Sequence, residues 1–529
     1  MNATNPPVAT PPLILCAADL VQHAGSAIET NCFSSVETDC ACSSAETDCN
    51  CLDDRSSSSA IGVVDESVAY RMPALHTDTL PGDYVLAFNP LGSAGVVVLD
   101  GAAWALLNRF RQPQRLADAA GERDNLHRAA QRLAELELIR RIDRPAGARR
   151  AAPQTLTAWL HVTNECNLRC DYCYVSKTPD AMDMARSRQA VNAVVRSALA
   201  HGFRRIKLKY AGGEATLNAP LIFATHQYAR ECAAKYGLAL DGVLLSNGVA
   251  LGSRLIRQIR DSGLRLMISL DGIGDVHDAH RRFVNGRGSF THVARTLDRL
   301  AEHGVTPSIS ITLSRRNLAG LAATVEYVLN RGLPFALNFY RENDCSASAA
   351  DLSFQDDQII AAMREAFAVI ARRLPPYSLL GALIDLARLD TPHDRPCGVG
   401  HSYMVIDHRG GVAKCHMEIE RTVTDVAAVD PLRLIREDAI GIQNVPVDEK
   451  EGCRTCTWRY WCAGGCPALT YRVTGRYDVK SPNCRIYQAL FPEALRLEGM
   501  RVLRYGYISS SSNRVRRSRS SRIADLRIE

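Results

Sequence analysis

Six short apolar runs, Thr157–Thr163, Arg205–Tyr210, Gly242–Ser246, Arg265–Leu270, Thr306–Leu313 and Phe335–Tyr340, alternate with amphipathic helical patterns through the middle of the chain. Strands separated by helix-length segments run parallel, because a parallel crossover needs a dozen or more residues where a hairpin needs only a few. The alternation therefore confines this region to an α/β sheet or barrel. Six strands suit a partial (β/α)6 TIM-like barrel, with chemistry expected at the carboxyl ends of the strands. At 529 residues the chain exceeds one ordinary core, so further domains must flank that body.

Directly after the first run comes Cys166-Asn167-Leu168-Arg169-Cys170-Asp171-Tyr172-Cys173. Three thiolates from one loop can converge on an iron–sulfur cluster and leave one iron open to a small chelating molecule. A structural zinc would want a fourth protein ligand, and His161 is the near candidate in sequence. The loop resembles the defining motif of the radical S-adenosylmethionine (SAM) superfamily, in which SAM occupies the open iron. That resemblance covers roughly residues 156–340 and implies reductive cleavage of SAM to a 5′-deoxyadenosyl radical that abstracts hydrogen from a substrate. Gly212-Gly213-Glu214 is similar to the family's segment that contacts the SAM amino group. Ser246-Asn247-Gly248 and Ser269-Leu270-Asp271-Gly272 are similar to segments that hold SAM, with Ser269 and Asp271 as candidates for its carboxylate and ribose. Arg281 and Arg282 either reach SAM or close a solvated helix end.

A second cysteine region begins at Cys397, followed after twelve residues by Gly410 and after four more by Cys415; then come Cys453-x2-Cys456-x5-Cys462-x3-Cys466 and, seventeen residues on, Cys484. The intervals resemble the SPASM pattern, against the plainer alternative of two zinc sites. The resemblance implies two auxiliary [4Fe–4S] clusters, one on Cys397, Cys415 and Cys466 (auxiliary I) and one on Cys453, Cys456, Cys462 and Cys484 (auxiliary II). With the SAM cluster this makes three. Residues 391–396 hold no cysteine, so auxiliary I keeps an open iron unless Cys345 or His393 closes it. Cys16 and Cys232 read as structural thiols.

The divisions expected from pattern are a disordered acidic, Cys-rich extension (1–75), a winged-helix-like element (76–143), a Pro/Gly/Arg linker (144–155), the barrel (156–345), connecting helices (346–396), the SPASM domain (397–490) and a basic tail (491–529). The second of these, with strands Tyr84–Pro90 and Gly95–Asp100 ahead of helical patterning to Ile139, resembles the leader-binding element of ribosomal-peptide maturases. In the extension, nine residues from Ser34 to Cys42 recur imperfectly as Ser43 to Cys51. Two readings of it stand: a disordered or metal-scavenging segment, or a substrate core fused to its own enzyme. Thiols lie near carboxylates there, as in Cys42-x3-Glu46 and Cys49-x3-Asp53.

The leading expectation is a radical SAM peptide maturase that installs an oxidative modification such as a Cys thioether, using SAM, three clusters and an electron donor such as flavodoxin or ferredoxin. The alternatives are a sulfatase-maturase-like oxidation of a protein side chain and a non-catalytic iron–sulfur redox sensor. The amino terminus has no basic residue before Arg55 to start a secretory signal, so a cytoplasmic location is expected. The arginines at 514–522 come without a base-reading domain, so nucleic acid is not expected as a partner, and no apolar stretch approaches the ~20 residues of a membrane span, so a membrane is not expected either.

Overall fold

The computed structural model describes residues 12–17, 20, 64–144, 152–346 and 351–511. The cysteine repeat at 32–51 and the arginine-rich end lie outside these residues.

The six expected barrel strands are Thr155–Thr163, Arg205–Gly212, Ala239–Ser246, Arg265–Ser269, Ser308–Leu313 and Phe335–Phe339, all parallel to their neighbours and in sequential spatial order. Side chains alternate between the two faces of each strand. Leu156, Ala158, Leu160 and Val162 of the first strand, and Ile206, Leu208 and Tyr210 of the second, share one core with Ala190, Val191 and Val194 of the helix Met184–Ala200. The opposite faces, carrying Thr157, Trp159 and His161 and then Lys207 and Lys209, line the barrel interior and are buried as well. This face therefore mixes buried polar and cationic side chains with the aromatic Trp159, where the outer layer is apolar.

The sheet does not stop at the first barrel strand. Tyr403–Ile406, from the second cysteine region, pairs parallel to Thr157–Leu160, and Gly411–Ala413 and Thr422–Asp425 extend it antiparallel to nine strands. The SPASM-like region is thus continuous with the barrel sheet. Between them, the expected connecting helices reduce to one, Asp356–Arg372; most of 373–396 is irregular, because Pro375, Pro376, Pro392 and Pro396 cannot extend a helix ladder.

The amino-terminal element is a four-stranded antiparallel sheet in the order Ile14–Cys16, Val96–Leu99, Tyr84–Phe88, His76–Leu80, backed by helices Gly101–Arg109, Leu116–Ala120 and Asp124–Glu135. Asp100 caps the first of these helices by accepting from the Ala103 N–H at 2.8 Å. One edge strand, Ile14–Cys16, comes from the stretch expected to be disordered. The strand is short, yet its Leu15 and Cys16 are buried on the sheet edge. The boundary at 491 is likewise corrected: one helix runs Cys484–Ser511, and Phe491, Ala494, Leu495 and Val502 are buried in the main core beside Leu80, Leu86 and Phe88 of the amino-terminal sheet. Among the described residues no helix is long and apolar enough to cross a membrane.

Candidate functional site

The first cysteine loop leaves the carboxyl end of the first barrel strand and is held from three sides. Leu168–Cys170 forms a two-stranded ribbon with Arg281–Phe283. The second strand ends at Gly212 and Gly213, where a Cβ would lie 2.3 Å from the Thr163 and Glu165 carbonyl oxygens respectively; the Gly213 and Glu214 N–H groups donate to those same carbonyls at 2.7 and 2.8 Å. The glycine pair is thus dictated by backbone contact. A Gly213→Ala change forces that contact apart, at a cost of about 1–3 kcal/mol typical of overpacking. It is expected to lower the melting temperature and to shed iron from the first loop, measurable by thermal denaturation and iron analysis.

The Glu214 carboxylate, buried, accepts from the Ser246 hydroxyl at 2.9 Å, the Asn247 N–H at 2.7 Å and Thr216. Asn247 in turn reaches Asn167 at 2.7 Å and the Cys166 sulfur at 3.9 Å. From the fourth strand's end the buried Asp271 carboxylate takes the Arg281 Nε–H at 2.6 Å, the Thr312 N–H at 2.7 Å and the Tyr172 hydroxyl. Burial alone would raise the Asp271 carboxyl, yet Arg281 and His277 hold it below the usual carboxylate range. Asp271, a candidate contact to SAM, also ties the cysteine loop to the barrel through these bonds. Ser269, partly exposed, remains open at the strand end. Of the two arginines, Arg281 is buried over the Tyr172 ring while Arg282 is exposed, donating to the Asp278 carbonyl.

The three thiols suit a cluster by their surroundings. Burial pushes the Cys170 thiol up to about 12, opposed by Arg281, and raises Cys166. A thiol so disfavoured as a free thiolate is deprotonated when a metal replaces its proton. The Lys177 ammonium lies 2.9 Å from the Cys173 sulfur and supplies a counter-charge. Among the described residues, no three His, Cys, Asp or Glu side chains converge tightly enough for a single metal ion. A cubane, with each thiolate on a different iron, accepts a wider set.

In the second region, Cys453, Cys456, Cys462 and Cys484 are electrostatic neighbours of one another; burial raises Cys453 to about 11, Cys462 to about 12, and Cys484 by less. Cys397 and Cys415 share a separate apolar cluster with Trp159 and Tyr403. Between these groups sits Lys450, fully buried, its ammonium donating to the Ala463 carbonyl at 3.2 Å and facing Cys453, Cys397, Cys462 and Cys466. Gly464 makes room for it, since a Cβ there would meet Lys450 Cδ at 2.5 Å. Sequence reasoning missed Lys450, which stands among Asp448, Glu449 and Glu451 and reads as a solvated charge, and also Tyr172 and Lys177. Cys345 is exposed, its thiol donating to the Tyr174 carbonyl beside the first loop, while His393 contacts the carbonyl of Thr391.

The two cysteine regions meet. Tyr174, next to Cys173, and His416, next to Cys415, have ring centroids 5.4 Å apart, and His416 stacks on Trp159 of the first strand at 4.7 Å.

A parallel barrel carrying three cysteines on the loop after its first strand, with Lys177 and Arg281 against them and a close-packed glycine pair at the end of the next strand, is suited to hold an iron–sulfur cluster. Residues 160–327 match the model of the radical SAM superfamily, so this part of the chain is a radical SAM domain. It is 26% identical over 179 residues to an uncharacterized protein of Methanocaldococcus jannaschii, covering 33% of this chain and 58% of that protein, so less than two thirds of that relative is matched. It is 24% identical over 376 residues to the serine-type anaerobic sulfatase-maturating enzyme of Klebsiella pneumoniae, covering 65% of this chain and 91% of that enzyme. Among solved structures, native anSMEcpe with bound AdoMet superposes with a TM-score of 0.53 at 17% identity over 68% of this chain and all of that one; the same protein with AdoMet and the Cp18Cys peptide gives 0.51 at 16%, over 68% of this chain and 99% of that one. These superpositions establish the shared fold.

Proposed function

We propose that the chain is a peptide or protein maturase that carries three [4Fe–4S] clusters and joins a cysteine sulfur to carbon as a thioether. The observation that supports this best is the contact of Tyr174 with His416, the neighbours of Cys173 and Cys415, which brings the two cysteine regions together. Cys166, Cys170 and Cys173 would hold the SAM cluster, Cys397, Cys415 and Cys466 auxiliary I, and Cys453, Cys456, Cys462 and Cys484 auxiliary II. The strand ends carrying Gly212, Gly213, Glu214, Ser246, Asn247, Ser269 and Asp271 would frame SAM. When bound, SAM and its cluster supply a one-electron route to a hydrogen-atom acceptor. The chain's own part is to hold the substrate between the two cysteine loops, exclude water and keep Arg281 and Lys177 as counter-charges. The sheet and helices at 76–143 would recognise the peptide, as an antiparallel edge is suited to strand addition. An electron donor such as flavodoxin or ferredoxin would supply the reducing electron.

Likeness along 91% of a sulfatase-maturating enzyme supports a second reading, oxidation of one Ser or Cys side chain to an aldehyde. Anaerobically reconstituted protein tests both. About twelve iron atoms per chain and cysteines that lose alkylation on turnover are expected for the first reading; iron near four would exclude the auxiliary clusters. An aldehyde captured by a hydrazide, with free thiols retained, would select the second.

A further inference from the structure

The amino-terminal sheet has an occupant on one edge. Ile14–Cys16 pairs antiparallel with Val97–Leu99, and the Asp100 N–H donates to the Leu13 carbonyl at 3.1 Å. The seat is two-sided. Leu15 joins the main core against the carboxyl-terminal helix, where a Cβ on Gly506 would lie 3.2 Å from Leu15 Cδ1. Cys16, pointing the other way, joins the core of the recognition element, and its sulfur accepts from Arg132 at 3.6 Å. A strand held by ladder bonds along its edge and by alternate side chains in two pockets is the arrangement of peptide recognition by strand addition. The same sheet touches the second cysteine region: Phe88 packs on Trp461 at 4.7 Å, and the Trp461 indole N–H donates to the Pro90 carbonyl at 2.8 Å, one residue before Cys462.

We propose that Leu13–Ala17 is a built-in docking strand and that the chain's own Cys32–Cys51 repeat is the peptide it delivers, so that the enzyme modifies itself in cis. This rests on the maturase reading and names its substrate. Leu20 is packed against the core, and from it to Cys32 the chain has 32 − 20 = 12 residues, able to span about 40 Å when extended. That reach is comparable to the width of a domain. Residues 1–54 carry eight acidic and no basic side chains, which leaves 6 + 8 = +14 on the remainder, so the segment and the body attract. Tethering replaces an encounter by a local concentration in the millimolar range. The repeat offers five thiols, Cys32, Cys40, Cys42, Cys49 and Cys51, beside carboxylate residues. In each link a carbon-bound hydrogen leaves with 5′-deoxyadenosine, the thiol proton goes to solvent, and the remaining electron returns to the protein's clusters. One SAM is consumed per link, and no other oxidant is required.

The test uses the full chain, reconstituted anaerobically and given SAM and dithionite. Intact-mass and fragment spectra are expected to show losses in steps of two hydrogens, confined to peptides holding Cys32 through Cys51 and ending at no more than five links. Leu15→Asp, and independently Gly506→Val, which leaves the segment's sequence untouched, are expected to speed amide exchange of Val96–Leu99 and to abolish those losses while iron content is kept. Losses that persist once exchange shows the strand released would overturn the docking role. Cysteines that stay alkylatable in the unaltered chain while 5′-deoxyadenosine accumulates would overturn modification in cis. Absence of 5′-deoxyadenosine marks instead a failure of the maturase reading itself.

Discussion

Replacing Cys166, Cys170 and Cys173 together by Ala is expected to abolish SAM cleavage and to lower iron by about four atoms per chain, with about eight retained. The first loop is fixed by the glycine pair, Asn247 and the Arg281 ribbon, whereas the second cysteine set stands on its own loops around Lys450 and the strand Tyr403–Ile406. The two sets of thiols stand on different loops of one continuous sheet, so removing the first three leaves the second set of ligands in place. Iron analysis with a chromatographic assay for 5′-deoxyadenosine checks both halves. Retained 5′-deoxyadenosine formation would remove this loop from the site.

Asp271→Asn is expected to have the largest effect of any substitution outside the cysteines. It strips the formal partner from Arg281, whose side chain is 9% exposed against 0% for Asp271, and leaves a buried guanidinium uncompensated. Breaking one half of such a pair costs about 3–5 kcal/mol, a large part of a typical folding stability of about 5–15 kcal/mol. The loss falls on the cysteine loop, because Arg281 pairs in register with Cys170 and Tyr172 hangs on the same carboxylate. A lower melting temperature and loss of the SAM-loop iron together are the expected result. The double change Asp271→Asn with Arg281→Met removes the stranded charge and is expected to regain part of the stability. Equal melting temperatures for Asp271→Asn and the unaltered chain would show that the pair carries no such burden.

The barrel was legible because its strands repeat one local pattern: Leu156, Ala158, Leu160 and Val162 announce a buried face without help from distant residues. The cysteine loop was legible because its ligands sit within eight residues of one another. What stayed hidden depends on long-range partners. His76–Leu80 buries only Leu80 fully and so shows no apolar run, becoming a strand through pairing with Tyr84–Phe88. Ile14–Cys16 is too short to announce itself and needs Val97–Leu99 beside it. Asp271 could be placed at a strand end from sequence, but that Arg281, ten residues on, returns to fill its oxygens required the ribbon with Leu168–Cys170. Lys450 was hidden for the opposite reason, since its acidic neighbours in sequence are not its neighbours in space.

The pairing of Tyr403 with Thr157 bears on how such a chain is made. Its partners are 403 − 157 = 246 residues apart, and until the later strand leaves the ribosome the first barrel strand keeps an open edge. That edge carries unpaired backbone groups beside Trp159, whose ring is covered by His416 of the same late segment. Contacts of such separation form slowly, and open strand edges invite pairing between chains. A nascent or truncated chain ending before Tyr403 would thus present a sticky half-barrel, giving the cell a reason to shelter the growing polypeptide until its second cysteine region has been synthesised.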